Sequence, residues 1–205
     1  MLKLILVRHG ETERNSQQRL QGGKSDTPLN RKGKEQAQRV GDALKAEQLD
    51  AVYCSPLKRA VDTALEIAVH HRLAPQPLPG LAELDMGLID GSNLSEIKES
   101  QLDFWKRWQT GDYSVALPGG ESLSQVRQRA WLEVREVAGR HPEGTVVLVS
   151  HSITLQTVIT AALRAPLECF PHLSIGVASI SILRMNGDRA SLVTLNDTCH
   201  LTEMK

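Results

Sequence analysis

Three short apolar runs constrain the fold of this chain more than any other feature. Residues 2–7, 51–54 and 145–149 are nearly unbroken apolar segments of strand length. Runs of this kind are typical of strands that are buried on both faces of a parallel sheet. Helical patterns lie between and after them, over residues 31–48, 57–71, 94–109, 122–139 and 153–163. Strands that alternate with helices predict an α/β protein, a three-layer α/β/α sandwich with a mainly parallel central sheet.

Local signals refine some of these boundaries. Ser55, which a proline follows, is a typical N-cap, so the helix over 57–71 is expected to begin there. Residues 177–184 and 190–195 have strand patterns, and Asn186-Gly187 between them predicts a hairpin. No change of composition marks a linker, so the 205 residues are expected to form a single domain.

The composition excludes several classes of function. The 24 Lys and Arg residues offset 24 Asp and Glu residues, and this zero net charge argues against binding nucleic acid through bulk charge. No apolar run approaches the roughly 20 residues of a membrane span. The three cysteines form no CxxC pair, which favours structural thiols in a reducing cytoplasm. We therefore expect a cytoplasmic protein whose partner is a small molecule rather than nucleic acid or a membrane.

Histidines and arginines follow the three best strands, at the point where each strand ends. Arg8 and His9 follow the first strand, Arg59 lies just beyond the second, and His151 follows the third. A parallel sheet brings these ends to one edge, where ligands of such sheets bind. Guanidinium groups match phosphate oxygens, and a neutral imidazole is a competent nucleophile near pH 7. The helix that begins near Ser152 is expected to direct its N–H groups at the same anion, so this edge predicts phosphoryl transfer through a histidine.

Ordered motifs along nearly the whole chain carry a family resemblance. They are Leu6-Val7-Arg8-His9-Gly10-Glu11-Thr12 with Asn15, Leu20-Gln21-Gly22, Pro28-Leu29-Asn30 with Gly33, Ser55-Pro56-Leu57 with Arg59-Ala60, Leu81 with Glu83, Gly87 and Gly91, Pro118-Gly119-Gly120-Glu121-Ser122, Val149-Ser150-His151, and Asn196-Asp197. This set resembles the histidine phosphatase superfamily, the phosphoglycerate-mutase-like proteins. Among its members, the chain is most similar to small phosphatases such as the α-ribazole-phosphate phosphatases.

The resemblance implies a role for each matching residue. His9 would be the nucleophile that becomes phosphohistidine, and Glu83 would protonate the leaving alkoxide and then activate water. Glu83 lies in an irregular stretch, where a movable or exposed acid is expected. The residues that would bind the phosphoryl group or the substrate are Arg8, Asn15, Gln21, Gly22, Arg59, Glu83, His151 and Ser152. The resemblance implies no metal and no cofactor, and it implies a lid or substrate rim inserted at about residues 84–122.

Two departures from the family pattern affect the substrate site. Ser152 stands where the family usually has glycine, and its hydroxyl would either bind the phosphate or cap the following helix. Ile89-Asp90 stand where the family often has an aromatic residue and a glutamate. Because that segment lies beside the leaving group in the family, the departure bears on which substrate is used.

Three functions are compatible with these motifs. The first is a metal-independent phosphatase for small phosphate monoesters, with α-ribazole 5'-phosphate or a broad range as substrates. The second is a phosphoglycerate mutase, which the Leu84-Asp85-Met86 segment disfavours because mutases of this family carry Arg-His-Tyr there to hold a carboxylate. The third is a catalytically silent phosphate-binding module, which would need neither His9 nor Glu83. The oligomeric state, monomer or homodimer, is open.

Overall fold

A six-stranded sheet organises the protein, as seen in a computed structural model that describes residues 1–93 and 102–202. The strands are β1 (Leu2–Arg8), β2 (Ala51–Cys54), β3 (Gln76–Pro77), β4 (Gly144–Ser150), β5 (Ile180–Asn186) and β6 (Arg189–Asp197), in the spatial order β3-β2-β4-β1-β5-β6. The first four strands run parallel, and β5 and β6 add an antiparallel hairpin beside β1. The predicted mainly parallel sheet is confirmed.

The α-helices of the described residues are α1 (Glu13–Ser16), α2 (Arg31–Leu44), α3 (Lys58–Ala68), α4 (Leu102–Gln109), α5 (Leu123–Arg140) and α6 (Ser152–Ala162). Short 3-10 turns lie at Val69–His71, Pro79–Leu81, Gly87–Ile89, Leu167–His172 and Cys199–Leu201. None of the helices within 1–93 and 102–202 has both the length and the apolar character to cross a membrane.

The alternation of side chains in β1 divides the core into two layers. Leu2, Leu4 and Leu6 point to one face, where they pack with buried residues of α5 and α6. Ile5 and Val7 point to the other face, where α2 and α3 cover them. Because successive strand residues face opposite sides, a run that is apolar at almost every position needs helices on both faces. The three-layer sandwich follows from this requirement.

A third apolar cluster lies outside the sheet. Its buried members are Leu84, Met86, Ile89, Phe104, Leu117 and Val126. It joins the segment after Glu83 to the start of α5 and to α4. Residues 94–101, the first half of the helix predicted over 94–109, lie outside the described residues, and α4 accounts for the second half.

Several predicted boundaries are wrong by a few residues. The helix over 31–48 ends at Leu44, and the helix over 57–71 ends at Ala68 and continues as a 3-10 turn. The predicted hairpin is confirmed, but its two-residue turn is Gly187-Asp188, since Asn186 still pairs with Arg189. β3 was not predicted, because two residues that include a proline carry no strand pattern.

Candidate active site

Three parallel strands end side by side at one edge of the sheet. β4 lies between β1 and β2, with Arg8 opposite Ser150 and Cys54 opposite Val149. One residue further on, the His9 N–H donates to the Ser150 carbonyl at 3.0 Å, and the Ser55 N–H donates to the Val149 carbonyl at 2.9 Å. The sheet therefore places the residues that follow all three strands within one small region.

The rings of His9 and His151 face each other in this region. Their centroids are 5.0 Å apart, although 142 positions separate the two residues in sequence. Both side chains are buried, His9 with 3% and His151 with 0% of its surface exposed. Burial, followed by the charges of Arg59 and Arg8, holds the pKa of His9 well below its usual value. The imidazole of His9 is therefore neutral at pH 7.

The tautomer of His9 follows from one hydrogen bond. Its Nδ1 lies 2.7 Å from the carbonyl oxygen of Gly10. A carbonyl can only accept, so Nδ1 carries the hydrogen and Nε2 keeps an available lone pair. His9 is thus oriented and protonated as a nucleophile acting through Nε2 requires.

His151 is held between Arg59 and Ser55. The Nε–H of Arg59 donates to Nδ1 of His151 at 3.2 Å, so the hydrogen of this ring is on Nε2, which lies 2.7 Å from the Ser55 hydroxyl. Burial, the charge of Arg59 and the nearby His9 hold the pKa of His151 well below its usual value. The prediction that Ser55 is an N-cap is wrong, because Leu57 occupies that position. The Ser55 hydroxyl contacts His151 and also accepts from the N–H of Leu57 at 3.3 Å.

The guanidinium of Arg59 is completely buried behind the two rings. Its Nη1 donates to the Ser25 carbonyl at 2.5 Å and its Nη2 to the Gly22 carbonyl at 3.2 Å. Burial lowers the pKa of Arg59 to about 10, against the raising effect of the Glu83, Asp26 and Asp90 charges. It therefore stays protonated at pH 7 as a fixed positive charge for an anion.

Asp90 supports the loop that holds Arg59. Its Oδ1 accepts from the Gly22 N–H at 3.2 Å, and its Oδ2 accepts from the Ser25 hydroxyl at 2.6 Å. Arg14 pairs with the same carboxylate at 2.7 Å and also donates to Ser25. Asp90, which departs from the family pattern, thus holds Gly22 and Ser25, and the carbonyls of these two residues hold Arg59.

Arg8 is anchored from the opposite side of the site. Its Nη1 donates to the Ile175 carbonyl at 2.6 Å, and its Nε is buried with no hydrogen-bond partner among the described residues. The carbonyl stands next to Gly176, whose N–H donates to Oδ1 of Asn196 at 2.6 Å. Asn196 has a φ of 56°, a left-handed conformation that asparagine tolerates better than most residues. Burial lowers the pKa of Arg8, and the charge of Glu83 opposes this effect.

Glu83 caps helix α6 with its side chain. Oε1 accepts from the N–H of Leu84 at 2.9 Å and from the N–H of Thr154 at 3.1 Å. The Thr154 hydroxyl lies 3.0 Å from Oε1 and 2.8 Å from the Ala82 carbonyl, so its single hydrogen serves one of these two oxygens. Oε2 accepts from the N–H of Ile153 at 3.2 Å. The expectation of a movable or exposed acid is wrong, since only 5% of Glu83 is exposed. The N–H groups of Ile153 and Thr154, which were expected to face the phosphate, donate to the Glu83 side chain instead.

The remaining predicted residues have different surroundings. Asn15 is the N3 residue of a capping box with Thr12, and its Oδ1 lies 3.1 Å from the Thr12 N–H. Gln21 places Oε1 2.7 Å from the Thr12 hydroxyl, while its buried Nε2 has no partner in the described part of the chain. Ser152 directs its hydroxyl to the Ile175 carbonyl at 3.4 Å, and it is the first residue of α6 rather than its N-cap. Gln21 and Arg8 thus share one property: each has a buried nitrogen donor without a hydrogen-bond partner among the described residues.

The site offers an anion cradle rather than a metal centre. Among residues 1–93 and 102–202, no three His, Cys, Asp or Glu side chains converge in a way that could hold a metal ion. Two guanidinium groups, two neutral imidazoles and one carboxyl group meet instead. Sequence reasoning missed Ser55 and Thr154 as members of this site. Ser55 follows a strand end in the same way as His9, and that position was the signal that could have found it.

Comparison with known proteins agrees with this geometry. The family described as "Histidine phosphatase superfamily (branch 1)" matches residues 4–198. Phosphoserine phosphatase 1 of Hydrogenobacter thermophilus is 39% identical over 203 residues, which cover 99% of this chain and 96% of that protein. The probable phosphoglycerate mutase GpmB of Cronobacter sakazakii is 33% identical over 181 residues, 88% of this chain and 84% of that protein. The crystal structure of the α-ribazole phosphatase from Shigella flexneri superimposes with a TM-score of 0.85 at 28% identity, covering 95% of this chain and 96% of that one.

Proposed function

The chain belongs to the histidine phosphatase superfamily and is a phosphomonoesterase with a histidine nucleophile, and on this premise we propose that it hydrolyses small phosphate monoesters of alcohols without a metal. The observation that carries the proposal is the neutral, correctly oriented His9 imidazole between two fixed guanidinium groups. The candidate substrates include phosphoserine and α-ribazole 5'-phosphate, which relatives act on according to their names.

In the first step, Nε2 of His9 attacks the phosphorus atom. A P–N bond forms while the bond from phosphorus to the alcohol oxygen breaks. Arg8 and Arg59 donate to the phosphoryl oxygens, and His151 joins them when its Nε2–H exchanges the Ser55 hydroxyl for a phosphoryl oxygen. These donors offset the negative charge of the group in transfer. Glu83 gives its proton to the leaving oxygen. We place this proton on Oε2, because Oε1 accepts from two backbone N–H groups and Oε2 from one.

In the second step, water replaces the alcohol. The Glu83 carboxylate takes a proton from the water as the water oxygen attacks phosphorus. The P–N bond breaks, its electron pair returns to Nε2 of His9, and inorganic phosphate leaves. Glu83 is protonated again for the next cycle, as the reversal of its first role requires. The charge of Glu83 acts on both arginines, which supports its place beside the phosphoryl group.

The segment after Glu83 favours a phosphatase over a mutase. Leu84 and Met86 are buried in the third apolar cluster, and Asp85 pairs with Lys24 at 2.8 Å. None of these three side chains offers a cation to the carboxylate of a phosphoglycerate. We further propose that the described parts of this predicted insertion, residues 84–93 and 102–122, form the rim of the substrate site. The packing of Met86 and its neighbours against Val126 of α5 and Ile153 of α6 supports this, because Ile153 also contacts Glu83.

Hydrolysis of p-nitrophenyl phosphate in EDTA tests the phosphatase proposal. We expect turnover by the wild-type protein, and His9→Ala should abolish it while inorganic phosphate still binds, since both arginines remain. His200→Ala serves as the matched control and should keep its activity. A His9→Ala variant that retained more than about 5% of the wild-type rate would refute the nucleophile assignment. Absence of wild-type turnover between about pH 4 and pH 9 would favour the silent binding module instead.

A panel of esters then tests the substrate class. We expect release of phosphate from phosphoserine, α-ribazole 5'-phosphate or both. Conversion of 3-phosphoglycerate into 2-phosphoglycerate faster than its hydrolysis would contradict the proposal and support the mutase alternative. Light scattering after size-exclusion chromatography would decide whether the enzyme is a monomer or a homodimer.

Glu83→Gln tests the acid role through the leaving group. An alkyl alcohol needs a proton to leave, whereas p-nitrophenolate does not. We therefore expect a loss of about 100-fold or more on an alkyl phosphate such as phosphoserine and a much smaller loss on p-nitrophenyl phosphate. Glu136→Gln, which changes an exposed carboxylate on α5, is the control. Equal losses on both substrates would remove Glu83 from the acid role.

A further inference from the structure

Arg129 of α5 makes an unusual number of contacts with the backbone that carries Glu83. Its Nη1 donates to the carbonyl oxygens of Gly80 and Ala82, each at 2.7 Å, and its Nη2 donates to the carbonyl of Glu83 at 3.1 Å. Glu83 lies in neither a helix nor a strand. The backbone there has no regular ladder of hydrogen bonds, so its position depends on side-chain donors.

Glu121 completes this arrangement as the partner of Arg129. Nε of Arg129 donates to Oε1 of Glu121 at 2.8 Å, and Nη2 donates to Oε2 at 2.9 Å, a two-point pair. Oε2 also accepts from the N–H of Asp85 at 2.9 Å, and the N–H of Glu121 donates to the Asp85 carbonyl at 2.9 Å. Burial raises the pKa of Glu121, but the hydrogen bonds from Arg129 and Asp85 outweigh this effect, and the pKa lies below its usual value.

The pair thus holds the acid-bearing segment on both sides. Arg129 binds the carbonyls up to Glu83, and Glu121 binds both backbone groups of Asp85, two residues later. The Glu83 carboxyl itself is fixed separately, by Thr154 and Ile153 at the start of α6. We propose that Arg129, together with Glu121, is a positioning residue that sets the distance between the Glu83 carboxyl and the leaving oxygen.

This proposal rests on the proposed acid role of Glu83. Proton transfer in the transition state requires heavy atoms within hydrogen-bond reach, and a displacement of about 1 Å can cost about 100-fold in rate. Arg129 itself contacts only backbone and Glu121, and it does not bind the phosphoryl group. Its loss should therefore affect the protonation of the leaving group and leave the binding of phosphate unchanged.

Arg129→Met removes all these donors and keeps the apolar part of the side chain. We expect kcat on phosphoserine or another accepted alkyl phosphate to fall by roughly 10- to 100-fold, while kcat on p-nitrophenyl phosphate falls less than about 3-fold. The inhibition constant of inorganic phosphate should stay within about 2-fold of wild type. Arg135→Met, at an exposed arginine of the same helix, is the control and should change none of these values. A folded Arg129→Met enzyme that lost phosphate binding and both activities to the same degree would overturn the proposal.

The double variant with Glu83→Gln separates this inference from the proposed function. If Arg129 acts through Glu83, Arg129→Met should cause almost no further loss on the alkyl phosphate once Glu83→Gln is present. Glu83→Gln could lose more activity on the alkyl phosphate than on p-nitrophenyl phosphate while Arg129→Met loses the same factor on both substrates. That result would refute the positioning role and leave the acid role intact. Equal losses on both substrates in Glu83→Gln would refute the acid role, and the positioning role with it.

Glu121→Gln provides a second variant if Arg129→Met does not fold. It keeps one acceptor oxygen and removes half of the two-point pair. We therefore expect a smaller loss on the alkyl phosphate than in Arg129→Met, roughly 3- to 10-fold, which again exceeds the loss on p-nitrophenyl phosphate. A folded Glu121→Gln enzyme with equal rate ratios on both substrates would contradict the proposal.

Discussion

The buried pair of imidazoles makes the stability of the enzyme depend on pH in a direction that can be worked out. His9 and His151 are neutral in the folded protein because burial, followed by the charge of Arg59, holds the pKa of both rings well below the usual value. In the unfolded chain, each imidazole titrates near pH 6.5. Below that pH the unfolded chain binds two protons that the folded protein does not, so the free energy of unfolding decreases as the pH falls.

The size of the effect follows from the two titrations. Between roughly pH 7.5 and pH 5.5, each histidine that stays neutral in the folded state should cost about 1.4 kcal/mol, and the pair about 2.7 kcal/mol. The stabilisation from the neutral imidazoles is fully present above the pKa of the unfolded chain. As the pH falls below that value, the stabilisation decreases until the pH reaches the pKa values of the folded protein. Burial also lowers the pKa of His200, which contributes in the same direction. Because His200 remains in variants of His9 and His151, comparing their pH dependence with that of wild type isolates the contribution of His9 and His151.

Urea unfolding at a series of pH values measures this dependence. Relative to wild type, His9→Gln and His151→Gln should each reduce the acid-induced loss of stability by about 1.4 kcal/mol over the same interval, whatever their stability at pH 7.5. The double variant should reduce it by about twice that amount. If the two single variants lost as much stability on acidification as wild type does, the conclusion that both rings are buried in the neutral form would be wrong.

Four further substitutions test helix packing and the loops that support the site. Gly33→Ala should destabilise the protein by about 2 kcal/mol or more despite the better helix propensity of alanine, because the new Cβ would lie 1.9 Å from the Glu11 carbonyl oxygen. Gly139→Ala, which has open space around it, should stabilise the protein by about 0.5 kcal/mol. Thermal unfolding of the two variants measures both effects. Asn196→Ala should weaken inhibition by inorganic phosphate about 3- to 10-fold. It removes the hydrogen bond to Gly176, which supports the Ile175 carbonyl that accepts from Arg8. Asp90→Asn should raise KM for p-nitrophenyl phosphate by a similar factor through the loop behind Arg59, and an unchanged KM would show that this loop needs no charge at its centre.

The strand ends show how far local patterns lead. The apolar runs that became β1, β2 and β4 predict a parallel sheet, and the geometry of such sheets brings the ends of these strands together. The 5.0 Å separation of the His9 and His151 rings is therefore a consequence of patterns that are visible in the sequence. The family resemblance added Glu83, which no apolar pattern indicates.

The surroundings of Glu83 show where local patterns stop. An isolated glutamate after a proline and a glycine is typical of an exposed loop. In the folded protein, its carboxylate caps a helix that begins 69 positions later, and its backbone is held by Arg129, which is 46 positions away. Ser55 likewise matched an N-cap signal, but its hydroxyl oxygen accepts from Nε2 of His151, which lies beside it.

Local patterns in the chain were enough to predict five of the six strands, most of the helices and the edge of the sheet where the candidate active site lies, because periodicity and strand length are local properties. The tertiary structure decided which side chain occupies the N-terminus of α6, which hydroxyl faces His151 and which arginine holds the acid. These contacts join segments distant in sequence, and they depend on strand order and on the packing of α5 and α6 against the sheet, which no local pattern encodes.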